Sequence, residues 1–163
     1  MYVPFDQLPD HSRLWIYQSS RPFSQEEQLQ ISVALKTFCE LWNAHHQPLN
    51  SSFDIRFDRF IILSVDEGVH AASGCSIDSS VAVIRQIAEQ FGVDMFNRLD
   101  QALLLDQQVV VKSLAEIKKE LAAETLSEDT KVFNNLVMDL AEFKSGWIVP
   151  ISDSWLSRFV PVN

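Results

Sequence analysis

FDIRFDRFIILSVDEG, residues Phe53 to Gly68, decides how the chain is to be read. Its first half alternates Phe53, Ile55 and Phe57 with Asp54, Arg56 and Asp58, the period-two pattern of a strand with one face in water. Its second half does not alternate. Phe60 to Val65 (FIILSV) is apolar at nearly every position and stops at Asp66-Glu67-Gly68, as a buried central strand would.

Outward from this pair, Arg13 to Ser19 (RLWIYQS) sets Leu14 and Ile16 against Trp15 and Tyr17, so both faces are apolar and a covered strand is expected. Ser24 with Glu27 forms a capping box, and Leu29, Ile31, Leu35, Phe38 and Trp42 follow at mainly helical spacing. AHHQPLNSS (44–52) reads as a polar loop, with His45-His46 an exposed pair. On the other side, Val81, Ile84, Ile87, Ala88 and Phe91 predict a helix that Gly92 ends from the C′ position. Leu103 to Leu105 and Val109 to Val111, separated by Asp106-Gln107-Gln108, are strand material, as one long strand or a tight hairpin.

The order strand, helix, strand, strand, helix, strand is that of the split βαβ unit. It predicts a single α+β domain over 1–163, with a ferredoxin-like (βαββαβ) antiparallel sheet as its core over about 1–112. A helical extension is expected over about 113–163. There Ser113 and Glu116 make a second capping box, Leu114 to Ala123 is helical, and Val132, Leu136, Val137, Leu140 and Phe143 continue the pattern as far as Ser145-Gly146. Trp147 to Pro150 and Trp155 to Phe159 are apolar enough to return to the core, with Ser152 or Asp153 capping a last helical turn and Trp155 and Arg158 anchored at the surface.

Composition narrows the function classes. The net charge of -9 over 163 residues argues against nucleic acid, whose affinity comes from clustered Lys and Arg. The one short basic cluster, Lys118-Lys119, sits among Glu116, Glu120 and Glu124 and reads as a solvated helix face. No apolar run approaches the ~20 residues that span a bilayer, and no secretory signal pattern opens the chain, so membrane insertion is not expected. Cys39 and Cys75 form no CxxC or zinc-type spacing, which points to a cytoplasmic protein with reduced thiols. With only Gly68, Gly74, Gly92 and Gly146, neither GxxxxGK[ST] nor GxGxxG can be written, and HExxH and GxSxG are missing as well. No resident metal or cofactor is expected.

MYVPFDQLPD (1–10), RLWIYQSSR (13–21), VDEGVHAASGCSID (65–78), VFNNLV (132–137) and SWLSRF (154–159) together resemble, over nearly the whole chain, an uncharacterised bacterial protein family that often carries the label "ABC transporter ATPase". The label implies an ATPase-associated protein. An ABC ATPase itself needs a Walker A loop and an LSGGQ loop, and this sequence has neither.

The stretch with most chemistry is ASGCSIDSS, Ala72 to Ser80, between the buried strand and the second helix. A first helical turn offers unsatisfied N–H groups and a partial positive charge. One reading makes Cys75 a nucleophile, with His70 as general base oriented by Asp66 or Glu67. A second makes the turn a cradle for a small polar ligand, through the backbone of Gly74 to Ile77, the hydroxyls of Ser73, Ser76 and Ser79, and Asp78. A third has Asp66, Glu67 and Asp78 bind Mg²⁺ for a metal-dependent hydrolysis. The plainest has Cys75 buried as a small hydrophobe, Gly74 turning the backbone, and Ser76 or Asp78 capping the helix. The expected function is a non-catalytic binding or interaction module with its ligand at Ser73 to Ser79. Its partner would be a small polar ligand or another protein, a homo-oligomer staying open, and the cysteine-dependent enzyme and the metal-dependent hydrolase are the alternatives.

Overall fold

A computed structural model describes residues 1–68 and 70–162. It is an α+β protein whose strands pair antiparallel throughout their sheets. The chain forms two compact units, 1–96 with 138–141, and 97–137 with 142–163.

The first unit holds β1 (Arg13–Gln18), α1 (Gln25–Leu41), β2 (Asn43–Ala44), β3 (Gln47–Pro48), β4 (Asn50–Arg56), β5 (Phe60–Asp66) and α2 (Gly74–Phe91). Its sheet runs β1-β5-β4, with Ile62 opposite both Ile16 and Asp54. The central place of β5 follows from its apolar run: Phe60, Ile61, Ile62, Leu63, Ser64 and Val65 are all fully buried, so both faces are covered. On one face Ile61 and Leu63 pack with Tyr17, with Ile31, Leu35 and Cys39 of α1, and with Ile84, Ile87 and Ala88 of α2.

Local signals set the helix ends. Ser24 Oγ accepts from the Glu27 N–H (3.2 Å) while Glu27 accepts from the Ser24 N–H (2.8 Å), the reciprocal box that starts α1. Gly92 closes α2 at φ 61°, in the left-handed region where glycine carries no Cβ penalty.

The ferredoxin-like sheet expected from the sequence is not formed. The three strands of the β1-β5-β4 sheet keep the order that the split βαβ motif gives its first three, but the segment read as the fourth strand belongs to another sheet. On the free edge of β1, the Leu14 N–H donates to the Met138 carbonyl (2.9 Å) and Arg13 bridges Asp139, so a short return of the chain stands where a fourth strand would pair.

The second unit has β6 (Asp100–Leu105), β7 (Gln108–Ser113), α3 (Leu114–Ala122), β8 (Lys131–Phe133), the greater part of α4 (Leu140–Gly146) and β9 (Ile148–Pro150). Its sheet runs β7-β6-β8-β9. β6 and β7 make the tight hairpin, with Leu105 opposite Gln108. Val132, expected in a helical pattern, lies in a strand opposite Leu103 and Val149. A short apolar run carries too few positions to separate a period of 3.6 from one of 2, and the two partner strands decide it. Leu103, Ile117, Leu121, Leu126, Val132, Ile151 and Leu156 form the core of this unit. The last turn, Trp155–Phe159, is capped by Ser154 rather than Ser152 or Asp153, its Oγ accepting from the Leu156 N–H (3.2 Å). Trp155 is exposed, with the Arg158 guanidinium 5.6 Å from its ring centroid.

Candidate functional site

The loop from β5 to α2 is held by its own acids. Asp66 Oδ1 accepts from the Gly68 N–H (2.9 Å) and lies 3.0 Å from His11 Nε2. Glu67 Oε1 accepts from the Ala72 N–H (2.9 Å) and stands 3.7 Å from the Arg13 guanidinium. Both carboxylates thereby shape the chain where it leaves the sheet.

Ser73, not Ser76 or Asp78, caps α2. Its Oγ accepts from the Ser76 N–H (3.2 Å), and Ser76 Oγ donates back to the Ser73 carbonyl (2.7 Å). The helix therefore starts at Gly74, whose backbone is helical and whose missing Cβ would meet nothing within 4 Å, so no sharp turn requires a glycine there. The low helix propensity of glycine hides this start from a reading of the sequence.

The other hydroxyls also turn inward. Ser79 Oγ donates to the Cys75 carbonyl (2.9 Å) and Ser80 Oγ to the Ile77 carbonyl (2.7 Å). Ser76 and Ile77 donate their N–H groups to Ser73, while those of Gly74 and Cys75 have no partner among the described residues. Two backbone donors are thus available at the positive end of the helix.

These donors border an open groove of about 730 Å³. Ser73, Gly74, Cys75, Ser76 and Ser79 line one side, and Phe38, Leu41, Trp42, Asn43 and His45 the other. The far wall comes from the end of α1 and the turn between β2 and β3. Trp42 is 3% exposed, packs on Phe38 (centroids 4.9 Å apart), and donates Nε1–H to the Ser76 carbonyl (2.9 Å).

Cys75 is exposed, so it is not the buried hydrophobe of the plainest reading. Cys39 is the buried thiol, and burial pushes its pKa up to about 11. His70 and Asp66 line a separate cleft of about 200 Å³ with Gln47 and Asn50, so the structure places the expected base and nucleophile in two different clefts. The histidine that shares the groove with Cys75 is His45. Asp78 is exposed on α2 and lines neither cleft, and no group of three or more His, Cys, Asp or Glu among the described residues could hold a metal ion.

The wall residues Phe38, Trp42 and His45 were not legible as part of a site. The helical spacing of Phe38 and Trp42 marks a buried stripe, and nothing local says that this stripe ends beside the first turn of α2. His45 and His46 occupy the two-residue turn of the β2–β3 hairpin, at φ 51° and 64°.

Fold and site together define an α+β protein with a groove between the end of one helix and the start of another. Compared with protein-family models, curated proteins and solved structures, the chain matches none. Among the described residues no helix is long and apolar enough to cross a membrane.

Proposed function

We propose that the chain is a non-catalytic binding module that takes a small polar ligand in the groove at Ser73 to Ser79. The observation that carries this reading is the pairing of unbonded Gly74 and Cys75 N–H groups with an aromatic wall across an open groove. Such a site holds an apolar body against Phe38 and the exposed Leu41, with Trp42 packed behind them, and fixes a polar end on backbone donors, the usual division of labour in small-molecule sites. Serine hydroxyls contribute less than expected from the sequence, because those of Ser76 and Ser79 already donate into the helix.

One observation favours a second reading, a cysteine-dependent enzyme: Cys75 is exposed in the groove near a helix N-terminus. His70 does not share that groove, so His45 would have to serve as base. The two readings separate on thiol chemistry. In a Cys39→Ala background, a native alkylation rate at neutral pH at least tenfold above that of the denatured chain sinks the non-catalytic reading. A rate at or below the denatured one supports it.

The binding reading is tested by ¹H–¹⁵N spectra of the full chain titrated with a set of small polar aromatic compounds. It requires saturable shifts at Gly74, Cys75 and the Trp42 indole that disappear in Ser79→Trp. Movement confined to other residues would overturn it. The resemblance to the bacterial family enters this reading only as an association with ATPases, not as ATP hydrolysis by this chain, so Mg-ATP is expected to leave its melting temperature unchanged.

A further inference from the structure

Arg59, between β4 and β5, is 9% exposed, yet its guanidinium has neither an ion-pair partner, nor a hydrogen-bond acceptor, nor an aromatic ring beneath it among the described residues. Its Nε is sealed from solvent without a partner. The nearest carboxylates along the chain are engaged elsewhere: Asp54 accepts from Arg56 and from the Ile55 N–H, and Asp58 Oδ1 accepts from Gln28 Nε2 (3.0 Å).

The backbone beneath this side chain is fixed. The Arg59 N–H donates to the Arg56 carbonyl (3.1 Å), its carbonyl accepts from the Ser19 N–H (2.9 Å), and the Phe23 N–H donates to the Asp58 carbonyl (2.6 Å). A solvated arginine on a loose loop needs no counter-charge. On this pinned turn Nε alone is sealed without a partner, and an incoming oxyanion can supply both the acceptor and the negative charge that the chain does not. Burial pulls the guanidinium down from its ordinary value, in keeping with an environment that opposes its charge.

We infer that Arg59 is the anion-recognising residue of a second site, at the β4–β5 turn, which takes an oxyanion group, carboxylate or phosphate, carried by a small acidic molecule. A guanidinium offers parallel N–H donors in a planar fork that matches two oxygens of either group. The missing counter-charge then comes from the ligand instead of from the chain. This site is separate from both clefts: Arg59 lines neither the groove nor the small cleft, and Asp66 of the small cleft stands at the other end of β5, six strand residues or roughly 20 Å from Phe60.

The test uses the full chain, with inorganic phosphate and succinate as probes at constant ionic strength balanced by chloride. In ¹H–¹⁵N spectra of the arginine side chains, the Arg59 Nε–H resonance is expected to move saturably at millimolar anion while that of Arg21 stays in place. The anion that acts at the lower concentration identifies the group, phosphate or carboxylate. Arg59→Lys, which keeps the charge and loses the fork, is expected to weaken the response at least tenfold, and Arg59→Met to abolish the rise in melting temperature that the anion causes. The inference is overturned if neither anion moves the Arg59 resonance saturably, or if Arg59→Met keeps the full anion-dependent rise. Should Arg59→Met not fold, the wild-type spectra and Arg59→Lys decide.

Discussion

The indole Nε1–H of Trp42 donates to the carbonyl of Ser76 at 2.9 Å, inside the protein, and ties the end of α1 to the first turn of α2. One hydrogen bond thus positions both walls of the groove. Trp42→Phe keeps an aromatic ring against Phe38 and removes the donor. It is expected to destabilise the protein by about 1–3 kcal/mol in denaturant titration, from the lost bond and the volume lost in a packed site. The same variant should shift the amide resonances of Gly74 and Cys75. A stable variant with unmoved amides would mean that the helices are aligned by other contacts.

The two thiols differ in access, and the difference is measurable. Cys75 is exposed and Cys39 fully buried, with its pKa near 11. A small alkylating reagent applied to the native protein should add one label, at Cys75, and a second only when denaturant is present. Labelling of Cys39 at a comparable native rate would show that α1 opens from the sheet far more often than its burial implies.

Glu27 accepts both guanidinium nitrogens of Arg21 (2.9 and 2.8 Å) and the Ser24 N–H, and these bonds hold its carboxyl down at about 2 from an ordinary 4.5. In the folded state the proton binds more weakly than in the unfolded chain. The contribution of Glu27 is therefore complete above about 4.5 and is lost as the pH falls from there to about 2. The melting temperature should fall less steeply over that window in Glu27→Gln than in the wild type. Equal slopes would show that the bonds with Arg21 do not persist in solution.

Sequence reading succeeded where a pattern was long or a residue did one chemical job. The apolar run of Phe60 to Val65, both capping boxes and the Gly92 terminus all depend on near neighbours and are found as expected, whereas the alternating stretch Phe53 to Asp58 is strand only as far as Arg56, with Phe57 and Asp58 in the turn at φ 51° and 53°. The destination of β6 was not legible, because an apolar strand carries no mark of which sheet it joins. The groove was legible by half: ASGCSIDSS does lie on it, but its facing wall comes from residues some thirty positions earlier, brought there by tertiary packing. Cys75 and His70 stand five residues apart in sequence, yet α2 carries one away from the loop that holds the other.

Two tight hairpins turn without glycine where the backbone would favour it. His45 and His46 lie at φ 51° and 64°, and Asp106 and Gln107 at φ 48° and 65°, between paired residues that leave two-residue loops. Left-handed conformations at both central positions define a type I′ turn, whose preferred residues are Asn or Asp followed by Gly. A non-glycine side chain in that region costs about 1 kcal/mol or more. Gln107→Gly, which completes the Asp-Gly pair, is expected to stabilise the protein by about 0.5–1 kcal/mol, part of the relief being offset by the greater freedom of glycine in the unfolded chain. Gly92→Ala provides the opposite sign. A Cβ there meets nothing within 4 Å, so its cost, about 1 kcal/mol, comes from φ 61° alone. Both changes are read from denaturant midpoints at unchanged slope. A destabilising Gln107→Gly would show that the side chain of Gln107 contributes more to the β6–β7 hairpin than its backbone conformation costs.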